Sequence, residues 1–136
     1  MAGAEGKQDM RLGFVGTGAI AAAIVEGLCS TQPDRQIILS PRNAATAADL
    51  AARFVNVRIA PTNQAVLVAS DIVVLAVRPQ IATEVLSELR FRPDHHVLSL
   101  IATLSLDTLR SATAPAAVVT RAVPLPSVAR RQGPTA

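Results

Sequence analysis

Tryptophan and tyrosine are absent from this chain of 136 residues, and three phenylalanines are its only aromatics. Single-stranded nucleic acid is held by stacking on aromatic side chains, so their scarcity argues against a nucleic-acid partner. The core must then be built from Ala, Val, Ile and Leu, which suits a parallel sheet covered on both faces. A single cysteine, Cys29, excludes an internal disulfide framework and fits a reducing, cytoplasmic setting. Late in a helical stretch, it reads as a small buried side chain rather than a nucleophile. No apolar run approaches the roughly 18 residues of a membrane span. Residues 1–9 lack the apolar stretch of a signal peptide and read as a tail before a domain that starts at Met10. No Cys/His spacing proposes a metal site. Acidic residues are slightly outnumbered, 10 against 13 basic ones, for a net charge of +3. Apart from Arg130-Arg131 the basic residues are scattered, a mild excess that a phosphate-rich ligand favours.

What is present is aliphatic and periodic. Half of the residues are hydrophobic and 17% are charged, as expected of a globular domain with a core. Short apolar runs predict strands at 11–15, 36–40, 55–59, 71–77, 96–101 and 117–121. Helical spacing predicts helices at 18–30, 44–54, 62–69, 81–89 and 106–112, the second opening after Asn43, a good cap residue. Strict alternation of the two predicts an α/β fold, a Rossmann-type doubly wound sheet, mainly parallel, with helices on both faces and strand order 3-2-1-4-5-6. From residue 122 the periodicity ends, so 10–121 reads as the domain and 122–136 as a linker or tail.

The chemistry sits at the ends of the strands. Gly16-Thr17-Gly18-Ala19-Ile20-Ala21 is a G-x-G-x-x-A turn between the first strand and the first helix. Such a turn aims the start of a helix at an anion, ordinarily the pyrophosphate of a dinucleotide. Gly16 permits the tight turn, Gly18 lets phosphate approach the backbone, and Ala21 keeps the helix close to the sheet. An NAD site usually has a carboxylate at the end of the second strand. Here Ser40-Pro41-Arg42-Asn43 stands instead. Nothing in that stretch repels a 2′-phosphate, Ser40 and Asn43 can donate hydrogen bonds, and Arg42 brings a planar fork of donors. NADP(H) is therefore expected over NAD(H). Asn63 either reaches the adenosine ribose or caps its helix. Ala76, Val77, Arg78 and Pro79 end the fourth strand beside the middle of the cofactor, with Pro79 fixing the departing turn, and Leu100, Ile101 and Ala102 end the fifth near the nicotinamide. The triplet Asp94-His95-His96 reads as a solvated loop at the far end of the sheet, and Glu26 and Glu84 read as surface charges. No catalytic residue is singled out.

Several of these stretches resemble one family. Gly13-Phe14-Val15-Gly16-Thr17-Gly18 and Ser70-Asp71-Ile72-Val73-Val74-Leu75-Ala76-Val77-Arg78-Pro79-Gln80 are similar to segments of the pyrroline-5-carboxylate reductases. So are the stretches 97–109 and 119–136, in the same order. The resemblance implies hydride transfer from NAD(P)H to the cyclic imine of a small-molecule substrate, as in proline biosynthesis. It implies cofactor contacts at 16–21, Ser40, Asn63, 76–79 and 100–102. Two departures stand out: Ala102-Thr103 replaces the family's Ala-Gly, and Val123-Pro124-Leu125-Pro126-Ser127 lacks its Asn-Thr pair. Both point to a divergent relative acting on another imine or a carbonyl. Family members continue into a C-terminal helical domain that supplies the dimer contact and much of the substrate pocket. This chain stops where that domain would begin, so little turnover is expected of it alone, and a homo-oligomer only with that domain. The alternatives are a non-catalytic dinucleotide-binding module, a related NADP-dependent dehydrogenase, or a deazaflavin-dependent NADP reductase.

Overall fold

The computed structural model describes residues 10–16, 18–101 and 104–122. The expectations for Thr17, for Ala102 and Thr103, and for the two termini (1–9 and 123–136) lie outside the described residues.

Six strands form one parallel sheet: β1 Leu12–Val15, β2 Ile37–Leu39, β3 Val57–Ile59, β4 Ile72–Leu75, β5 His96–Ser99 and β6 Val118–Arg121. Their order is β3-β2-β1-β4-β5-β6, as the alternating pattern predicts. Five helices cross between them: α1 Ala19–Thr31, α2 Ala44–Arg53, α3 Asn63–Ala69, α4 Pro79–Ser87 and α5 Leu106–Thr113.

Period-two alternation within each strand divides the apolar residues between two layers. Phe14, Ile37, Leu39, Val57 and Val74 face Ala21, Val25 and Cys29 of α1 and Ala47 and Leu50 of α2. Val15, Ile38, Val73, Leu75 and Val97 face Val66 and Leu67 of α3, Ala82, Val85 and Leu86 of α4, and Leu109 of α5. Two helices thus cover one face and three the other. The central strands are buried on both sides, so they read as continuous apolar runs.

Close packing of α3 on β1 depends on Gly13. A methyl group there would collide with Val66 Cγ1 and the Ser70 side chain. At the same end of the sheet, the Arg11 N–H donates to Asp71 Oδ2 (2.8 Å) and the Asp71 N–H donates to the Arg11 carbonyl (2.9 Å).

Local differences from the sequence reading have physical causes. The third strand starts at Val57, because Phe54 to Val57 form a turn that leaves Val55 fully exposed. The Asn56 side chain holds that turn by donating to the Arg35 carbonyl (2.7 Å). Helix α4 begins at Pro79, two residues early, because proline costs nothing at a first helical position whose N–H has no partner anyway. Asn43 precedes α2 in the left-handed region (φ 55°) and makes no side-chain cap bond. Asn63 is not a cap either: Thr62 is, its Oγ1 accepting from the Ala65 N–H (3.0 Å).

The solvated-loop reading of His95 is corrected outright: His95 is fully buried. Its Nδ1 accepts the Arg92 N–H (3.0 Å), which leaves the ring hydrogen on Nε2 to donate to the Leu67 carbonyl (2.9 Å). The Arg92 guanidinium donates to the Val68 and Ser70 carbonyls, so both side chains satisfy the end of α3. Asp94 and His96 on either side of His95 are exposed, as expected, with His96 at the start of β5. His95→Leu keeps the volume but orphans the Arg92 N–H and takes one donor from the Leu67 carbonyl, which still accepts from the Ser70 N–H and the Arg92 guanidinium. It should cost about 1–3 kcal/mol of stability, read as a lowered urea midpoint with an unchanged slope.

Candidate functional site

At the C-terminal ends of the strands lies an open cavity of about 690 Å³, within the roughly 300–1,000 Å³ usual for small-molecule sites. It sits where the chain leaves β1 toward one face of the sheet and β4 toward the other. In a sheet of this order that divergence is the place for a ligand.

The floor is the turn after β1. Gly16 has φ +96°, and a methyl group on it would lie within 3 Å of the Ala76 carbonyl group and the Val77 nitrogen. Only glycine fits that backbone and that space. Its N–H donates to Ser40 Oγ (2.9 Å). Gly18 is a glycine of another kind. Its φ of −87° is open to any residue, and a methyl group on it would meet no atom within 4 Å. What its missing side chain leaves is room at the mouth, directly before the opening of α1.

The electrostatics follow from how the helices start. Among the described helices, α1, α2 and α4 have no side-chain N-cap bond and no acidic residue in their first turns. All three open on the cavity, through Gly18, Ala19 and Ile20, through Arg42 and Asn43, and through Arg78 and Pro79. The two that do not open on it, α3 and α5, are capped by Thr62 and Ser105. The opening turns of three helices therefore border one space without a side-chain cap, and each start carries the positive end of a helix dipole. Free N–H groups are fewest at α4, where Pro79 has none and the Ile81 N–H donates to the Arg78 carbonyl (3.1 Å). Arg42 and Arg78 add two exposed guanidinium groups, and among the described residues no carboxylate lines the cavity. The whole arrangement favours an extended polyanion.

The far wall is apolar. Ala76 and Val77 end β4, Leu100 and the buried Ile101 follow β5, and Ile81 comes from the first turn of α4. Ile101 is directed there by a bend in which its N–H donates to Ser99 Oγ (3.2 Å). The sequence reading missed Ile81. Its only signal was position, two residues beyond Pro79, once Pro79 is understood to begin the helix.

Thirteen of the seventeen expected cofactor residues line this cavity: Gly16, Gly18, Ala19, Ile20, Ala21, Arg42, Asn43, Ala76, Val77, Arg78, Pro79, Leu100 and Ile101. Thr17 and Ala102 lie outside the described residues. Asn63, half-buried at the start of α3, and Ser40, fully buried, are not among the lining residues.

A family model described as NADP oxidoreductase, coenzyme F420-dependent, matches residues 11–103. The chain belongs to that family. Among curated members of known name it is similar to pyrroline-5-carboxylate reductases. It is 28% identical to that of Methanosarcina acetivorans over 126 residues, which are 86% of this chain and 44% of the relative. It is 30% identical to that of Synechocystis over 120 residues, 85% of this chain and 44% of the relative. Among solved structures it resembles the 1-pyrroline-5-carboxylate reductase of Streptococcus pyogenes, with 25% identity and a TM-score of 0.72, covering 92% of this chain and 46% of that one. At 18% identity the NADP-bound enzyme of Plasmodium falciparum shares the fold, with a TM-score of 0.75, 93% of this chain and 46% of that chain covered. The chain therefore spans less than half the length of the relatives it matches, and the matched part is the pyrroline-5-carboxylate reductase-like NADP-binding domain. No helix among the described residues is long and apolar enough to cross a membrane.

Within this oxidoreductase domain Cys29 has no access to the cavity chemistry. It is buried under α1 beside Asn56, and burial pushes its thiol above the ordinary value, outweighing the Asn56 hydrogen bond and the Arg53 charge. A thiol raised in the fold favours the folded state below its unfolded pKa, and that contribution fades as pH climbs through the raised value. Wild-type protein should therefore lose urea resistance more steeply above the normal thiol range than Cys29→Ala.

The two glycines give a second contrast. Gly16→Ala should cost about 1–3 kcal/mol through strain and overlap, whereas Gly18→Ala should stay within about 1 kcal/mol of wild type. Urea denaturation of both variants checks it.

Proposed function

We propose that residues 10–121 hold NADP(H) in preference to NAD(H), and that the domain serves reduction of a cyclic imine of the pyrroline-5-carboxylate type. One observation carries the reading. Uncapped helix starts and an exposed arginine border a cavity with no carboxylate among its described lining residues, and the space before α1 would be filled by any side chain at Gly18.

The site fits a phosphorylated dinucleotide residue by residue. The amide hydrogens at the start of α1 receive the pyrophosphate, the group whose charge and length match them. The Arg42 guanidinium, with no carboxylate partner among the described residues, receives the 2′-phosphate in a paired hydrogen bond. Asn63, relieved of capping by Thr62 but outside the described lining of the cavity, would serve as the ribose contact. When bound, the nicotinamide supplies a hydride. Leu100 and Ile101 would form the apolar wall for that ring. Reaction needs the second reactant in attack geometry. The curated relatives are more than twice as long as the part matched here, so these 136 residues should bind cofactor yet turn over little imine.

The name of the matching family includes a deazaflavin coenzyme, which supports hydride exchange between NADP and that coenzyme as a second reading. The three curated relatives are all named pyrroline-5-carboxylate reductases, which favours the imine. NADPH oxidation in a protein extended by the region those relatives carry separates the two: cyclic imine or coenzyme F420 as acceptor.

Calorimetric titration should give NADPH a dissociation constant at least about tenfold below that of NADH, or about 1.4 kcal/mol. Arg42→Ala should remove most of that difference. Equal loss for the two cofactors would contradict the assignment.

A further inference from the structure

Ser40 was expected to offer its hydroxyl to the cofactor. The structure turns it the other way. It has 0% exposure, it does not line the cavity, and its Oγ accepts the N–H of Gly16 at 2.9 Å. Its own N–H donates to the Phe14 carbonyl (3.0 Å), so backbone and side chain both grip the end of β1. A Cβ on Gly16 would meet the Ala76 carbonyl group and the Val77 nitrogen, so the β4 backbone also lies close to it. Gly16 is therefore held between the end of β2 and the end of β4.

We propose that Ser40 is a positioning residue for the pyrophosphate, acting through Gly16, and that it makes no contact with the 2′-phosphate. This rests on the dinucleotide reading of the cavity. Gly16 stands two residues before Gly18, so the orientation of its peptide sets the direction from which the chain enters α1. A backbone at φ +96° has other conformations close at hand, because glycine is permissive on both sides of φ zero. The bond to Ser40 selects one of them before any ligand arrives. A loop ordered in advance binds more tightly than one ordered on contact.

The consequence is a separation of roles between neighbours. Arg42, exposed and lining the cavity, discriminates between cofactors. Ser40 affects every ligand that carries a pyrophosphate and leaves discrimination alone.

The test uses two fragments of the cofactor on the full 136-residue chain. ADP-ribose carries the pyrophosphate without the 2′-phosphate, and 2′-AMP carries the reverse. Ser40→Ala should weaken ADP-ribose, NADH and NADPH alike by about three- to tenfold, the worth of one hydrogen bond. It should leave 2′-AMP within about twofold, and the NADPH-to-NADH ratio unchanged. Loss confined to ligands bearing a 2′-phosphate, or no loss at all, overturns the proposal. A variant that fails to fold is bypassed by NMR hydrogen exchange of the ligand-free wild type. There the Gly16 amide must be protected, and exchange at the rate of a free amide overturns the proposal as well. Wild-type protein that binds neither NADH nor NADPH marks a different failure. The dinucleotide reading then falls, and this inference with it, even where Gly16 is protected.

Discussion

The structure turns on how closely two parallel strands approach at the point where the chain departs in opposite directions. The β1 and β4 ladder runs from Leu12 with Ile72 to Val15 with Leu75, and continues as the Ala76 N–H donates to the Val15 carbonyl (2.8 Å). One residue further, Gly16 must turn away while the β4 backbone is still beside it. The absence of a side chain there is a steric condition for the whole sheet, since a Cβ would lie within 3 Å of three backbone atoms. Once that condition is met, α1 is delivered onto one face and α4 onto the other. The space between their starts is a by-product of the topology.

Charge follows from the same geometry. A helix start in the open with no ligand to meet is stabilised by a side chain that satisfies its amides, and the exposed starts of α3 and α5 have Thr62 and Ser105 for that purpose. A helix start that faces a ligand site is best left unsatisfied, because a built-in cap would compete with the ligand for the same hydrogens. The three helices that open on the cavity lack such caps. With Arg42 and Arg78 at its edges, the cavity has two guanidinium groups beside the positive ends of the helix dipoles.

Much of this was legible in the sequence because burial on both faces writes strands as unbroken aliphatic runs. Ile37–Leu39 and Ile72–Leu75 could hardly be anything else between helical stretches. The order of the strands followed from the need to cross over after each one. The glycines at 16 and 18 marked the site because a side chain at the first would meet the β4 backbone and a side chain at the second would enter the open space before α1. What escaped depended on contacts between distant segments. His95 looks like a loop residue until the end of α3 arrives with unsatisfied carbonyls for it and Arg92 to meet. The turn at Val55 is held by Asn56 reaching Arg35, 21 residues away in the chain. Pro79 was read as a turn because proline marks both turns and first helical positions, and only the apolar face of α4 against the sheet decides between them.

Ser40 shows the limit of reading chemistry from residue type. A hydroxyl is donor and acceptor at once, so its presence near a phosphate site says nothing about which way it points. The pleat decides. Residues alternate between faces along β2, and the residue after Leu39 meets β1 edge-on, where the next unpaired backbone donor is the Gly16 N–H. An accepting side chain is needed there to keep a buried amide from being orphaned, and serine is the smallest residue that supplies one. Two positions further on, Arg42 has left the sheet and lies in the open. A short loop thus carries one residue that faces the fold and one that faces the cavity. On the proposed reading, cofactor preference can change at the second position while the first continues to hold the turn.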